Sequence, residues 1–313
     1  MYQGEESEIW LGEWLAERDV RDEMVIATKF TSGYKVFSEP KKIQSNFGGS
    51  GTKSLHLSVE ASLKKLQTSY IDLLYVHYWD MTTTVEELMQ SLNILVQDRR
   101  VLYLGASDAP AWWVVKCNSY AKHHGLRGFS VYQGRWNVTS RDFEREIVPM
   151  CADQGMSMAV WGALGGGYLK PKSQRGESGR TMNVRSGREE AVADVLEGMA
   201  TRKDVPMTSL ALAWLMQKAP HVFPIVGGRK IEHLQGNIEA LSLELSEAEM
   251  REIDGAYGFE AGFPYDFLGG GSIPRGPADV VFTQRFGNFD YVEETKAIRP
   301  HKGPLSTHDQ AWR

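Results

Sequence analysis

The sequence has 313 residues, 42% of them hydrophobic and 24% charged, and a formal net charge of −5. This composition is typical of a globular protein with a large core, and an α/β barrel of this length commonly forms one domain. The acidic balance argues against nucleic acid or a membrane surface as a partner, and no apolar run approaches the roughly 20 residues that cross a bilayer. Two cysteines, Cys117 and Cys151, predict no disulfide framework and favour a reducing compartment, so we expect a cytoplasmic enzyme.

Short apolar runs of strand-forming residues recur along the chain and alternate with helical patterns. An amphipathic helix is predicted first, over residues 5–17. The strand-like runs are 24–28, 71–76, 101–106, 129–133, 157–161 and 222–226. The helical patterns that follow most of them include 58–66, 85–96, 111–123 and 208–217. This alternation predicts parallel strands in βα units.

Two long connections and a tail complete the predicted organisation. Residues 31–55 and 165–188 have the length of binding loops or lids. A capping box at Ser246 and Glu249 predicts the beginning of a helix. We expect one domain over 1–313, with barrel units in 1–245 and a C-terminal helix and irregular tail in 246–313. Six units are fewer than the eight that close a barrel, so either the sheet is open and doubly wound, or a barrel lacks its first units.

Polar or aromatic residues stand at the end of each predicted strand. They are Lys29, His77, Ser107 with Asp108, Gln133, Trp161 with Gly162, and the run Gly227-Gly228-Arg229-Lys230. Because the carboxyl ends of parallel strands share one face in α/β folds, we expect these residues to converge on a functional site.

Each of these residues also has a purely structural interpretation. Lys29 is either a loop lysine in water or a buried lysine that lowers the pKa of a nearby phenol. His77 is either a satisfied core histidine or a functional one, and Trp161 either fills the core or stacks on a flat ring.

The run Gly227-Gly228-Arg229-Lys230 precedes a predicted helix that continues to Leu241. Backbone amides at a helix N-terminus, together with two cations, favour a phosphate site. A turn glycine pair beside solvated charges is the alternative. The glycines in 48–51 and 165–167 match no nucleotide-binding fingerprint and indicate flexible loops.

Five motifs stand in a fixed order along the chain. They are Tyr2-Gln-Gly4-Glu-Glu-Ser7-Glu8-Ile-Trp-Leu11-Gly12, Val25-Ile-Ala-Thr-Lys29-Phe30, Asp72-Leu-Leu-Tyr-Val-His77, Leu104-Gly-Ala-Ser107-Asp108 and Ile225-Val-Gly-Gly-Arg229. Aldo-keto reductases carry similar motifs in the same order. The chain resembles this family over most of 2–245, and most of all its fungal branch of aryl-alcohol dehydrogenases and norsolorinic acid reductase-like enzymes. The resemblance implies a (β/α)8 barrel that uses NADP(H) and an Asp–Tyr–Lys–His tetrad.

The resemblance also implies roles for individual positions. Tyr2 resembles the general acid, Lys29 the neighbour that lowers its pKa, and His77 the group that orients the carbonyl. The implied cofactor residues are Ser107, Asp108 and Gln133 near the carboxamide, Trp161 stacking on the nicotinamide, Arg229 and Lys230 at the 2′-phosphate, and His233 and Asn237 near the adenine. Gly162, Leu164, Gly227 and Gly228 are implied as further cofactor-binding positions. The family more often has Asn where this chain has Asp108, and usually Tyr where it has Trp161.

One departure concerns the N-terminus. The family's aspartate lies five residues before the tyrosine and would precede Met1, as would the first two barrel strands. The chain therefore resembles a member without its N-terminal portion, and we expect an incomplete barrel.

The expected function is NADPH-dependent reduction of an aryl or polyketide-type aldehyde or ketone, in fungal secondary metabolism of the mycotoxin type. The alternative is a truncated, catalytically weak or inactive NADPH-binding protein. A metal-dependent hydrolase is a weaker third hypothesis, because no His/Asp/Glu cluster has ligand spacing. The expected partner is a small carbonyl or alcohol, with no nucleic acid and no membrane. Several aromatic residues predict either a flat substrate pocket or plain packing: Trp79, Trp112, Trp136, Phe263, Tyr265 and Phe267.

Overall fold

Parallel strands alternate with helices along the chain in a computed structural model that describes residues 2–174, 187–228, 230–290 and 295–303. The strands are β1 (Ala27–Phe30), β2 (Ile71–Val76), β3 (Val101–Ser107), β4 (Phe129–Arg135), β5 (Ser157–Trp161) and β6 (Val222–Pro224). The α-helices are α1 (Glu6–Arg18), α2 (Lys35–Ser38), α3 (Thr52–Leu66), α4 (Val85–Gln97), α5 (Ala111–His123), α6 (Phe143–Gln154), α7 (Gly187–Lys203), α8 (Met207–Lys218), α9 (Ile231–Glu239), α10 (Glu247–Asp254) and α11 (Tyr265–Leu268). This is the α/β fold that the alternating pattern predicts.

The chain divides into two units, 1–133 with 150–157, and 134–149 with 158–313. In the first unit, β1 to β4 pair in parallel in chain order, with Lys29 beside Tyr75 and Ser107 beside Gln133. In the second unit, β5 pairs in parallel with β6. The pairing of β1 to β4 brings their carboxyl ends to one edge, which is where the polar residues of the first unit lie.

Helix α3 shows how the first unit buries its strands. Its apolar face places Leu55, Val59 and Leu66 in the core, each at most 2% exposed, and burial of each such side chain contributes about 1.5–3 kcal/mol. The C-terminal end of α3 lies close to α1. A Cβ built on Gly12 of α1 would stand only 2.1 Å from the carbonyl oxygen of Lys65 in α3. Glycine is the residue that permits this approach of the two backbones.

Several predicted elements have the expected bounds, and others differ. β2, β5 and α5 match residues 71–76, 157–161 and 111–123, and the capping box at the beginning of α10 is present in full. β1 begins at Ala27, later than predicted, because Met24 and Val25 are exposed and lie outside the ladder.

The predicted connections and tail contain helices of their own. The expected loop 31–55 holds α2 and the first turn of α3, and the tail holds α11. Helices α6 and α7 have no counterpart in the prediction; Pro149 inside α6 masks its helical pattern. Residues 175–186 of the second long connection lie outside the described residues. No helix in the described part of the chain is long and apolar enough to cross a membrane.

Candidate active site

Lys29 lies inside β1, with its side chain directed at the neighbouring strand. The register sets it beside Tyr75, and its Nζ is 5.8 Å from the centre of the Tyr75 ring. Burial lowers the pKa of Lys29 to about 8, and the nearby carboxylate of Asp108 opposes this fall. Lys29 is therefore not the fully solvated loop lysine of the alternative interpretation.

His77 is the first residue after β2, one strand away from Lys29. Its backbone N–H donates to the carbonyl of Phe30 at 3.3 Å, and its Nδ1 is 3.0 Å from the hydroxyl of Ser32. Burial, followed by the positive charge of Lys29, lowers the pKa of His77 to about 4. The imidazole is consequently neutral at neutral pH, with one N–H to donate.

Lys29 and His77 line the same pocket, which is partly open to solvent. The other lining residues are mostly polar and include Glu5, Glu8, Thr28, Tyr34 and Lys65. A cation of lowered pKa beside a neutral imidazole is an arrangement suited to proton and hydrogen-bond chemistry on a bound polar group.

Tyr2 belongs to the 3-10 turn Tyr2–Glu5 that leads into α1. Its side chain lies outside the described atoms, so its meeting with Lys29 and His77 stays a prediction. The turn itself is anchored through Glu5, which is 8% exposed. Glu5 accepts from Ser38 at 2.6 Å and from Lys65 at 2.9 Å. Burial alone would raise the pKa of Glu5, but these hydrogen bonds lower it overall.

Ser107, Asp108 and Gln133 lie together at the ends of β3 and β4. Ser107 is fully buried, and its hydroxyl is 3.3 Å from the Asp108 carboxylate. Asp108 has a positive φ of 43°, and its N–H donates to the carbonyl of Gln133 at 3.1 Å. The Gln133 side chain hydrogen-bonds the buried phenol of Tyr75. These groups, Lys29 and Tyr75 thus form one connected set.

In the second unit, Trp161 ends β5 with its ring half-buried. The guanidinium of Arg135 stands 5.9 Å from the centre of that ring. The next residue, Gly162, has a φ of 68°, and its carbonyl accepts from the Asn137 side chain at 2.8 Å. Leu164 follows, just before the 3-10 turn Gly165–Gly167. An indole at a strand end beside a fixed turn fits the predicted stacking surface.

The glycine run of the second unit lies between β6 and α9. Gly227, Gly228 and Lys230 are exposed, and Arg229 lies outside the described residues. A Cβ on Gly228 would stand 2.8 Å from the Cβ of His233, so a side chain there forces a shift. Lys230 caps α9 without a side-chain hydrogen bond, and Asn237 is half-buried on the same helix. The first amides of α9 fit an anionic group.

The aromatic residues divide between surface and core. The ring centres of Trp79 and Trp112 are 5.2 Å apart, and Trp112 is 58% exposed. Trp136 is fully buried and stacks on Phe143, so plain packing is the correct interpretation there. In the tail, Phe263 and Phe267 are exposed, and their ring centres are 6.5 Å apart.

Several residues of this site had no place in the predicted site, among them Tyr75 and Ser32. Tyr75 lies two positions before His77 on β2, so strand alternation is a signal that could have found it. Ser32 follows β1 in a loop, and its local sequence carries no signal for a contact with His77.

A parallel α/β fold with charged and polar residues at the carboxyl ends of its strands defines an enzyme-like site. Among the residues that the structure describes, no three His, Cys, Asp or Glu side chains gather as metal ligands.

The comparisons with known proteins give the family. The model of the aldo/keto reductase family matches residues 1–257. An aryl-alcohol dehydrogenase of Pestalotiopsis microspora is 53% identical over 97% of this chain and 79% of its own length. Norsolorinic acid reductase B of Dothistroma septosporum is 53% identical over 96% of this chain and 79% of its own length. Norsolorinic acid reductase of Aspergillus flavus is 56% identical over 85% of this chain and 69% of its own length. The chain belongs to the aldo/keto reductase family, and this membership supports an oxidoreductase that acts on carbonyl compounds.

Proposed function

We propose that the chain reduces an aldehyde or ketone to the alcohol with NADPH. The observation that carries the proposal is that Lys29 and His77, from neighbouring strand ends, line one pocket. When bound, NADPH supplies the hydride for the carbonyl carbon. The protein then has to bind the carbonyl oxygen and protonate it as its negative charge develops.

The three proposed catalytic side chains divide this work. The phenol of Tyr2 donates the proton, which at an ordinary pKa of about 10 it would do reluctantly at neutral pH. The ammonium of Lys29, when protonated, stabilises the phenolate that remains. The neutral imidazole of His77 donates a hydrogen bond that orients the carbonyl oxygen.

The residues of each unit fit parts of the cofactor. Ser107, Asp108 and Gln133 present amide and hydroxyl partners of the kind a carboxamide needs. In the second unit, the half-buried ring of Trp161 suits a flat ring, and the exposed amides and Lys230 at the beginning of α9 suit a phosphate.

For the substrate we propose aryl or polyketide-type carbonyl compounds, in fungal secondary metabolism. The support is the names of the relatives, an aryl-alcohol dehydrogenase and norsolorinic acid reductases. The exposed indole of Trp112, in contact with Trp79, is a surface on which a flat substrate could stack.

The test is NADPH consumption with a panel of aromatic aldehydes and ketones. We expect turnover in the wild type, and a loss of about 100-fold or more in kcat for Lys29→Met and His77→Gln. The exposed Lys53→Met and His123→Gln are matched controls that should retain activity. NADPH binding by fluorescence without consumption of any carbonyl would replace this proposal with that of a binding protein.

A further inference from the structure

The contact between Ser32 and His77 selects one nitrogen of the imidazole. The Ser32 hydroxyl is 3.0 Å from Nδ1, and both residues line the pocket. A neutral imidazole has one donor nitrogen and one acceptor nitrogen, and a hydroxyl can serve either. The direction of this hydrogen bond therefore decides which nitrogen carries the proton.

The chain is bent sharply to bring Ser32 to this position. Thr31, just before it, is fully buried and has a φ of 90°, a region that β-branched residues rarely adopt. Its carbonyl accepts from the N–H of Gly49 at 2.7 Å, and its hydroxyl is 3.4 Å from that of Ser50. Strained backbone of this kind persists only where the surroundings hold it, and it clusters at functional sites.

A second set of contacts links the same loop to the segment after His77. The carboxylate of Asp80 accepts from the N–H of Ser50 at 2.7 Å and from the N–H of Thr82 at 3.1 Å. The backbone N–H of His77 lies 3.4 Å from the Thr31 hydroxyl. The chain segments that follow β1 and β2 are thus joined, so the distance between Ser32 and His77 is set by the protein before any ligand binds.

We propose that Ser32 is a positioning residue whose hydroxyl donates a hydrogen bond to Nδ1 of His77 and so keeps the single imidazole proton on Nε2. This inference rests on the proposed function, in which His77 donates to the carbonyl oxygen. With the opposite tautomer, Nε2 would present a lone pair to that oxygen and repel it. Ser32 would then act on the reaction without touching the substrate.

The first test measures the tautomer directly, in the full chain without ligand. Two-bond ¹H–¹⁵N correlation spectra of histidine-labelled protein distinguish protonated from unprotonated ring nitrogens, and His77→Gln identifies the His77 signals among the eight histidines. We expect Nε2–H in the wild type and in Ser32→Thr, which keeps the hydroxyl. Ser32→Ala should shift a measurable fraction to Nδ1–H.

The second test is steady-state reduction of an aromatic aldehyde by NADPH. Ser32→Ala should lower kcat about tenfold or more, because a catalytic histidine held in the wrong tautomer loses much of its activity, while the affinity for NADPH by fluorescence stays within about twofold. Ser32→Thr should recover most of kcat. Ser119→Ala is the matched control, because the Ser119 hydroxyl lies 3.4 Å from Nδ1 of the exposed His123.

Two results would overturn the inference: a wild-type His77 with its proton on Nδ1, or a Ser32→Ala variant with unchanged tautomer and kcat. Melting curves by circular dichroism show whether Ser32→Ala is folded, and Ser32→Thr provides a second comparison if it is not. If the wild type reduces no carbonyl, the proposed function fails, and the tautomer spectra alone decide the role of Ser32.

Discussion

At the scale of single residues, the electrostatics of Lys29 depend on burial and on one neighbouring carboxylate. The carboxylate of Asp108 raises the pKa of Lys29 against the larger effect of burial. The carboxylate therefore keeps a larger fraction of Lys29 protonated near neutral pH. A protonated Lys29 is what the proposed role of a phenol-activating cation needs.

Replacing Asp108 with Asn should lower the pKa of Lys29 below its present value of about 8. Because the ammonium is then lost at lower pH, the alkaline limb of the pH profile for carbonyl reduction should move to lower pH. An NMR titration of the Lys29 side chain should show the same direction of shift. Asp153→Asn, an exposed carboxylate elsewhere in the unit, should leave both unchanged. A Lys29 midpoint that rises or stays would contradict the electrostatic role of Asp108.

The sequence predicts the strand-end residues better than the contacts around them. Lys29 and His77 follow from a simple rule, since each stands at the end of an apolar run in a parallel fold. The Ser32 contact depends on the φ of Thr31 and on its hydrogen bond with Gly49, a residue far along the chain. No local pattern in the sequence encodes such a turn.

At the scale of elements, strands and helices are predictable where one sequence pattern dominates. β2 has its predicted bounds because it is a short apolar run of strand-forming residues, and α5 because its buried residues recur at helical spacing. α7 begins in a charged stretch, and Pro149 lies inside α6. For these reasons the sequence of neither helix gives a clear helical pattern. Tertiary contacts stabilise these helices where local pattern does not.

The crossing of α1 over α3 gives a prediction on stability. Gly12→Ala would place a methyl group 2.1 Å from the Lys65 carbonyl and 2.8 Å from Leu66, so the two helices must separate. We expect the free energy of unfolding in urea to fall by about 1–3 kcal/mol, the usual cost of overpacking. This loss should exceed the gain of up to about 1 kcal/mol from the better helix propensity of Ala. Glu13→Ala, the exposed neighbour, should change stability by less than about 0.5 kcal/mol. Equal stability of Gly12→Ala and the wild type would show that α1 can move at little cost.

At the scale of the whole molecule, the described strands number six, and their parallel arrangement is consistent with a (β/α)8 barrel. The apolar runs predicted this count correctly, whereas the absence of the first two barrel strands stays a prediction. The proposed catalytic pair lies in the first unit, and the proposed phosphate-binding residues lie in the second. Cofactor binding by the intact chain is therefore best measured through the increase that it causes in the stability of the whole protein.

The preference for NADPH over NADH should appear as a difference in thermal stabilisation. A ligand at 100 times its Kd stabilises a folded protein by about 2.7 kcal/mol, so NADPH should raise the Tm more than NADH does at equal concentration. Lys230 is exposed at the beginning of α9, where one surface charge contributes up to about 1 kcal/mol to binding an anion. Lys230→Ala should therefore weaken NADPH roughly fivefold and narrow its Tm advantage, without changing the response to NADH or the Tm of the free protein. The exposed Lys122→Ala should behave as the wild type does. Equal Tm shifts with NADPH and NADH in the wild type would remove the 2′-phosphate from the proposal and leave a nicotinamide cofactor of either kind.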